Sequence, residues 1–359
     1  MSTISLCMIV KNEEAVLARC LESAREAVDE IVVVDTGSSD KTQAIARQFT
    51  DRVYTFPWID DFAAARNFAF SKGSMDFLMW LDADDVLPPD SAAALRRLKE
   101  TLDDGTDMVL MPYQVAFDGQ GNPTLSYYRE RLMRRQAGFR WTGAVHEVIP
   151  PAGRLRYEPI PVLHQKLKPG EPGRNLRIFE KMRAEGTVFD SRQQFYYARE
   201  LADNGRDEEA AAELKRFLAD ENGWVENQIE ACRVLSGCLQ RLGKEEEAFE
   251  ALLASFRFDA PRAEICCDLG SVYMRQKDYA RAAGWYGIAR RLTPSPERGG
   301  FCLLDCYGYI PCIQLCVCLD RLGRTAEAEA MNEEAARYKP NDASVLYNRR
   351  YFASRKKTS

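Results

Sequence analysis

The chain has 359 residues, enough for two ordinary domains with a substantial core in each. With 46% hydrophobic and 29% charged residues it has the composition of a soluble globular protein. Its net charge of -5 argues against a large nucleic-acid surface.

In chain order, TISLCMIV (3–10) is a continuous apolar run of strand length. It is too short for a secretory signal, has no basic leader and runs straight into KNEE, so the expectation is a cytoplasmic chain. Residues 14–27 have helical spacing at Val16, Leu17, Cys20, Leu21 and Ala24. EIVVVDTG (30–37) predicts a β-branched strand and SDKTQAIARQF (39–49) a helix. Ser38 or Ser39 is placed to cap that helix, and Asp40 to meet its positive end. A short strand (52–56) and a helix (61–73) follow, and then DFLMWLDADD (76–85) as a further strand. Strands joined by helices, apolar on both faces, imply a mostly parallel α/β sheet.

After LHQKLKPGEPGRN (163–175), a Pro-, Gly- and Lys-rich boundary segment, the strand signal stops. Four segments (195–218, 231–256, 265–292, 309–338) each read as an apolar-periodic helix, a short polar turn and an Ala-rich helix. Their turns recur about every 34 to 46 residues, near the tetratricopeptide period. Ala210, Ala248, Ala282 and Ala328, one after each turn, allow close helix packing. The pattern resembles tetratricopeptide repeats, with residues 341–357 as a capping helix. The best membrane-span candidate, residues 301–319, is interrupted by Asp305, Pro311 and Gln314 and reads as a buried helix pair, so no transmembrane segment is expected. The eleven cysteines form no paired framework and are read as reduced core residues. Cys302/Cys306 and Cys312/Cys316 are spaced to share a helix face.

Polar clusters stand at three strand ends, where open α/β sheets bind ligands. They are Lys11-Asn12-Glu13-Glu14 after Val10, Asp35-Thr36-Gly37-Ser38-Ser39-Asp40 after the second strand, and Asp82-Ala83-Asp84-Asp85 after Trp80-Leu81. In an extended segment Asp82 and Asp84 would face one side, and paired hard oxygens suit Mg²⁺ or Mn²⁺. Such a metal neutralises a leaving diphosphate. A solvated acidic turn is the alternative for an isolated cluster of this kind. The two histidines, His146 and His164, lie further on, with Glu147 beside the first.

The order VKNE, VVVDTGSSDKT, DFAAARNFA, WLDADD strongly resembles glycosyltransferase family 2 over about the first 110 residues. The resemblance implies a GT-A fold and an inverting, metal-dependent transferase of the EC 2.4 class using a UDP-sugar or another nucleoside-diphosphate sugar. It implies that Val10, Asn12, Glu13, Asp35 and Gly37 surround the nucleotide, with Asp35 on the uracil edge. Arg66 and Asn67 then approach the donor, Asp82 and Ala83 the sugar and ribose, and Asp84 the Mn²⁺ or Mg²⁺. Bacterial relatives fused to tetratricopeptide repeats carry a WxGxxHE-like stretch, here Trp141 to Glu147, and a His before an RNL helix, here His164. They include peptide S-glycosyltransferases and enzymes acting on proteins or cell-surface glycans. Glu147 is the expected base. His146 or His164 supplies another ligand or hydrogen bond, which makes Asp82, Asp84 and His164 the expected metal set and Glu147 with His146 the catalytic one.

The expected organisation is a GT-A domain at 1–165, a linker and first helix at 166–189 and an α-helical repeat domain at 190–359. The repeats hold a peptide, protein or glycan acceptor, or mediate a homodimer; no nucleic-acid partner is expected. Two other readings compete: a repeat scaffold carrying an inactive transferase-like domain, and a nucleotidyltransferase. The latter relies on a Gly-rich phosphate loop, and the turn at residues 11–14 holds no glycine.

Overall fold

A computed structural model describes residues 1–103, 105–167, 170–220 and 222–356. The chain divides into two compact units: Met1–Phe189 with Pro296–Gly299, and Asp190–Ser295 with Gly300–Ser359. Residues 166–189, expected as linker and first helix, fall inside the first unit.

The first unit is built on one sheet. Strands β1 (Ile4–Val10), β2 (Glu30–Asp35), β3 (Val53–Thr55) and β4 (Phe77–Met79) pair in parallel, in the order β3-β2-β1-β4. Beyond β4 the sheet becomes antiparallel, which the apolar pattern alone did not foretell. It continues through β7 (Pro123–Arg134), β6 (Met108–Phe117), β9 (Val162–His164) and β5 (Asp85–Val86). Only β9, and β8 (Leu155–Tyr157) beside it, run parallel to β6. The fold is therefore a mixed α/β sheet of GT-A type. Helices α1 (Leu17–Ala24), α2 (Thr42–Ala46), α3 (Phe62–Lys72) and α4 (Pro89–Thr101) connect the strands, and α5 (Arg174–Ala184) follows β9.

Side chains alternate across a strand, so β1 and β2 feed two cores. Ile4, Leu6, Met8, Val10 and Val33 enter one with α1 and α4. Cys7, Val32 and Val34 enter the other with α3 and Trp141. This double burial is why both strands read as continuous apolar runs.

The second unit is a series of helical hairpins. They are α6 (Ser191–Asp203) with α7 (Asp207–Ala219), α8 (Val225–Arg241) with α9 (Glu245–Ala254), α10 (Ala263–Arg275) with α11 (Tyr279–Ala289), and α12 (Tyr309–Arg321) with α13 (Thr325–Tyr338). Helix α14 (Ala343–Lys356) closes the series. Ala210, Ala248, Ala282 and Ala328 are at most 1% exposed, so the small residues stand where the paired helices meet. This is tetratricopeptide-like architecture, as the period implied.

All eleven cysteines are buried and free of disulfides. Cys302 and Cys306 do not share a helix: one lies in a two-residue strand and the other in a 3-10 turn. Cys312 and Cys316 both lie on α12 but enter different clusters. Among the described residues no helix is long and apolar enough to cross a membrane.

Candidate functional site

The turns after β1 and β2 are stitched together by side chains. Asn12 takes a positive φ of 56°, which asparagine tolerates better than most residues. Its backbone N–H donates to Ser38 Oγ (2.9 Å), and its Oδ1 accepts from Ser39 N (2.8 Å). Glu13 N donates to Thr42 Oγ1 (2.7 Å). Val10 is 3% exposed and offers this corner only its carbonyl, which accepts from Thr36.

These bonds correct the expected helix cap. Neither Ser38 nor Ser39 caps α2, which begins at Thr42 without a side-chain cap, because both are engaged with Asn12. Asp40 instead accepts from Thr42 N (2.9 Å) and Glu14 N (3.2 Å).

Asp35 is fully buried. Its Oδ1 accepts from Gly37 N (2.9 Å), Ser38 N (2.9 Å) and Gln43 Nε2 (3.0 Å). Gly37, at φ 105°, permits the turn that aims these amides. Burial pushes the carboxyl up, but the bonds from Ser38, Gly37 and Gln43 outweigh it and leave its pKa below the usual value. Oδ2 is buried and has no protein partner. A buried carboxylate oxygen left without a partner is costly unless a hydrogen-bond donor meets it.

The acidic segment is a turn, not the end of an extended strand. Asp85 N donates to Asp82 O (3.0 Å), and Asp82 N donates to Asp85 Oδ2 (3.0 Å). Period-two geometry therefore does not apply: Asp82 and Asp84 have different partners, with the buried Ala83 between them. The antiparallel pairing of β5 with β9 sets Asp85 opposite His164. His164 Nδ1 then lies 3.4 Å from Asp84 Oδ1, 3.2 Å from Asp85 Oδ1 and 2.9 Å from Tyr113 OH.

Asp84, Asp85 and His164 offer ligand atoms within 4.8 Å of one another. Asp85 has no exposure and is saturated, its Oδ1 by Tyr113 and His164 and its Oδ2 by Asp82 N and Arg131 Nη1 (3.3 Å). It orients His164, as carboxylates commonly do for ligating histidines. Asp84 and His164 keep partial exposure, 18% and 23% of their side chains. Burial pushes Asp84 up, and Asp82 and Asp85 add to the rise. For His164 burial acts downward, but the Asp85 bond and the neighbouring carboxylates prevail and raise its pKa.

Asp82, expected among the metal ligands, pairs through Oδ1 with Arg66 Nη2 (2.7 Å). Burial pushes Asp82 up, but the guanidinium prevails and holds its pKa at about 2. Arg66 also binds Glu147 (Nε to Oε1, 2.6 Å). Its guanidinium lies against both the Trp80 and Trp141 rings, 5.0 and 4.8 Å from their centroids. Its Nη1 is buried without a partner.

Asn67, expected to approach the donor, is bonded to the neighbouring chain. Both its amide functions grip the Trp141 backbone, at 2.9 Å each, and so fix the indole. The segment 142–148 is closed by reciprocal backbone bonds between Thr142 and Val148 (2.9 and 3.0 Å). Within it Gly143 (φ 92°) and His146 (φ 50°) make the bend that brings Glu147 back to Arg66. His146 stacks on Phe179 of α5, with 6.2 Å between ring centroids.

Sequence reasoning missed Gln43, Tyr113 and Arg131. Arg131 has no exposure, its guanidinium lying 3.8 Å from the Trp80 centroid and 4.4 Å from that of Tyr113. No local pattern marks these residues, because β6 and β7 bring Tyr113 and Arg131 to the acidic turn only through sheet pairing.

Residues 5–160 match the family model for Glycosyl transferase family 2. A TPR repeat-containing protein of Synechococcus elongatus is 37% identical over 154 residues, 42% of this chain and 36% of the relative. The SPbeta prophage-derived glycosyltransferase SunS of Bacillus subtilis is 27% identical over 232 residues, 60% of this chain and 53% of the relative. The chain thus spans about a third to a half of the length of these curated relatives. Among solved structures, YrrB, described as a TPR protein with an unusual peptide-binding site, aligns with a TM-score of 0.38 and 17% identity over 50% of this chain and 84% of its own.

Proposed function

We propose that the first unit, a glycosyltransferase family 2 domain, moves a sugar from a nucleoside-diphosphate sugar to an acceptor with inversion at the anomeric carbon. One observation carries the reading: a single guanidinium, Arg66, ties the acidic turn at Asp82 to Glu147. Carboxylates suited to the donor side and the acceptor side are thereby braced together. The open oxygen of Asp35 supports a base with a ring N–H, such as the uracil of a UDP-sugar.

Asp84 and His164 would hold a divalent cation. A carboxylate oxygen with an imidazole nitrogen suits Mn²⁺, and Mg²⁺ less well. Such an ion, when bound, supplies positive charge to the leaving diphosphate. Asp82, kept ionised by Arg66, accepts hydrogen bonds from ribose or sugar hydroxyls. Glu147, with one oxygen on Arg66, takes the acceptor's proton on the other. The acceptor atom bonds to the anomeric carbon as that carbon's bond to the diphosphate oxygen breaks, and the nucleoside diphosphate leaves. His146, packed on Phe179, holds the bend that presents Glu147. The second unit recognises a peptide, protein or glycan acceptor, or pairs with a second copy.

Thermal-shift and turnover assays with UDP-, GDP- and dTDP-sugars, each with and without Mn²⁺, test the reading, since a bound donor raises apparent stability by mass action. At least one donor should stabilise the protein and turn over only with the cation. Turnover that persists in excess EDTA would remove the metal from the reading. Silence toward every donor would leave a repeat scaffold with an inactive transferase-like domain.

A further inference from the structure

Successive hairpins of the second unit are joined by residues 220–224 and 255–262, whereas residues 290–308, of which 296–299 fall in the first unit, separate α11 from α12. Beyond a two-residue strand, that long connection holds only two short 3-10 turns. Connections of this length inside a compact array usually serve a function. One of its anchors is a buried carboxylate: Glu264, 4% exposed, accepts from Leu303 N (2.9 Å) and from Tyr307 OH (2.8 Å). Gly300 is pressed against Glu226, and a Cβ there would collide with the Glu226 carboxylate.

Under this roof lies a cavity of about 190 Å³. Glu230 and Arg233 line it from α8, Arg262 from the approach to α10, and Ser295, Phe301 and Tyr307 from the long connection. Arg233 binds Glu230 (3.0 Å) and Asp268 (2.8 Å); Arg262 binds Glu226 (2.7 Å) and Asp259 (2.8 Å). Each guanidinium therefore already meets two carboxylates, so an anion would gain little. A cation would have to lie against two guanidiniums. Both signs of charge are disfavoured, yet hydrogen-bonding capacity remains. Among the described residues, Arg233 Nη2, Arg262 Nε and Nη1, Glu230 Oε1 and the Ser295 hydroxyl carry no bond within the protein.

Donors and an acceptor side by side on planar charged groups match the vicinal hydroxyls of a sugar, each of which both donates and accepts. Phe301 offers an apolar wall for the ring carbons. We propose that this pocket binds one neutral sugar residue of a saccharide. It depends on the transferase reading only for making that saccharide the acceptor.

The test is ligand-observed saturation-transfer NMR on the full chain with methyl glycosides of neutral hexoses and N-acetylhexosamines, in the presence of saturating UDP to block the donor site. At least one glycoside should bind. Ser295→Trp, which fills the cavity from a loop, and Glu230→Ala, which removes the acceptor, should each weaken it by about tenfold or more. UDP binding by both variants should stay unchanged, and wild-type helical circular dichroism and melting should show that the helical repeats still fold. The proposal is overturned if no glycoside binds, or if Ser295→Trp binds as wild type does. It is equally overturned if the N-acetyl amides of lysine or glutamate, or a neutral tetrapeptide, occupy the pocket while glycosides do not. Glycoside binding without any donor turnover would count against the transferase reading and leave the pocket standing.

Discussion

The two units handle charge differently, although the second also buries Glu264 beside the largely covered Arg262–Glu226 pair. In the second, the recurrent pairs are short-range ones at the hairpin turns: Arg206–Glu209 and Arg324–Glu327 each follow a glycine at φ 75° and 77°. They are surface pairs of the kind that contribute little. In the first unit, Asp35, Arg66, Asp85, Glu130 and Arg131 are all buried, although charged residues seldom are. Among the described residues, buried unpartnered polar atoms occur at Arg19, Asp35, Arg66, Arg131 and Trp141 in this unit, and at Ser191 and Glu329 in the second. Paired surface charge at the turns recurs with the repeat. Buried charge with an open valence marks a place where a ligand completes the structure.

Predictions can break this contrast. The largest effect is expected from Glu147→Gln, which should lower kcat by about 10²–10⁴-fold while donor KM stays near wild type. A donor-affinity loss with kcat retained would move Glu147 out of the base role. Arg66→Ala strands two partly buried carboxylates and should cost about 3–5 kcal/mol of stability in urea unfolding. A change below about 1 kcal/mol would show that the brace is not structural.

Asp35→Asn should weaken nucleotide binding by about tenfold or more in calorimetry, with the fold intact, because an amide cannot accept at both positions. Equal binding would place the base elsewhere.

For pH, the Asp82 carboxyl is depressed to about 2, below its unfolded value of about 3.9. Its contribution is therefore present in full above about pH 4 and is lost as pH falls through about 2. Wild type should lose on the order of 1–2 kcal/mol more than Asp82→Asn across that window, allowing for partial exposure of Asp82. Identical acid limbs would remove the Arg66–Asp82 pair as a contributor.

The smallest effect belongs to the repeats. Gly323→Ala, at φ 77°, should cost about 1 kcal/mol in unfolding and leave donor turnover unchanged.

Much of the molecule was readable from local pattern. Continuous apolar runs announced β1 and β2 because both their faces are buried. The near-34-residue spacing and the small residues at Ala210, Ala248, Ala282 and Ala328 announced the hairpins, since each repeat must pack on the next. The chemical identity of the site residues was also present in the sequence, in Asp35, Arg66, the acidic turn and Glu147. Their partnerships were not.

Whether Asp82 meets an arginine or a metal depends on a turn bond from Asp85 and on α3 lying beneath it. That His164 faces Asp84 depends on the antiparallel register of β5 with β9, made between strands far apart in the chain. Tyr113 and Arg131 entered the site for the same reason, whereas Gln43 reaches Asp35 from the start of α2, eight residues along the chain. Periodicity and residue type are local properties, so the sequence by itself determined the elements and the inventory of groups. Distance between groups, and so which carboxylate is paired, saturated or open, is set by long-range sheet pairing, and only the tertiary structure decided it.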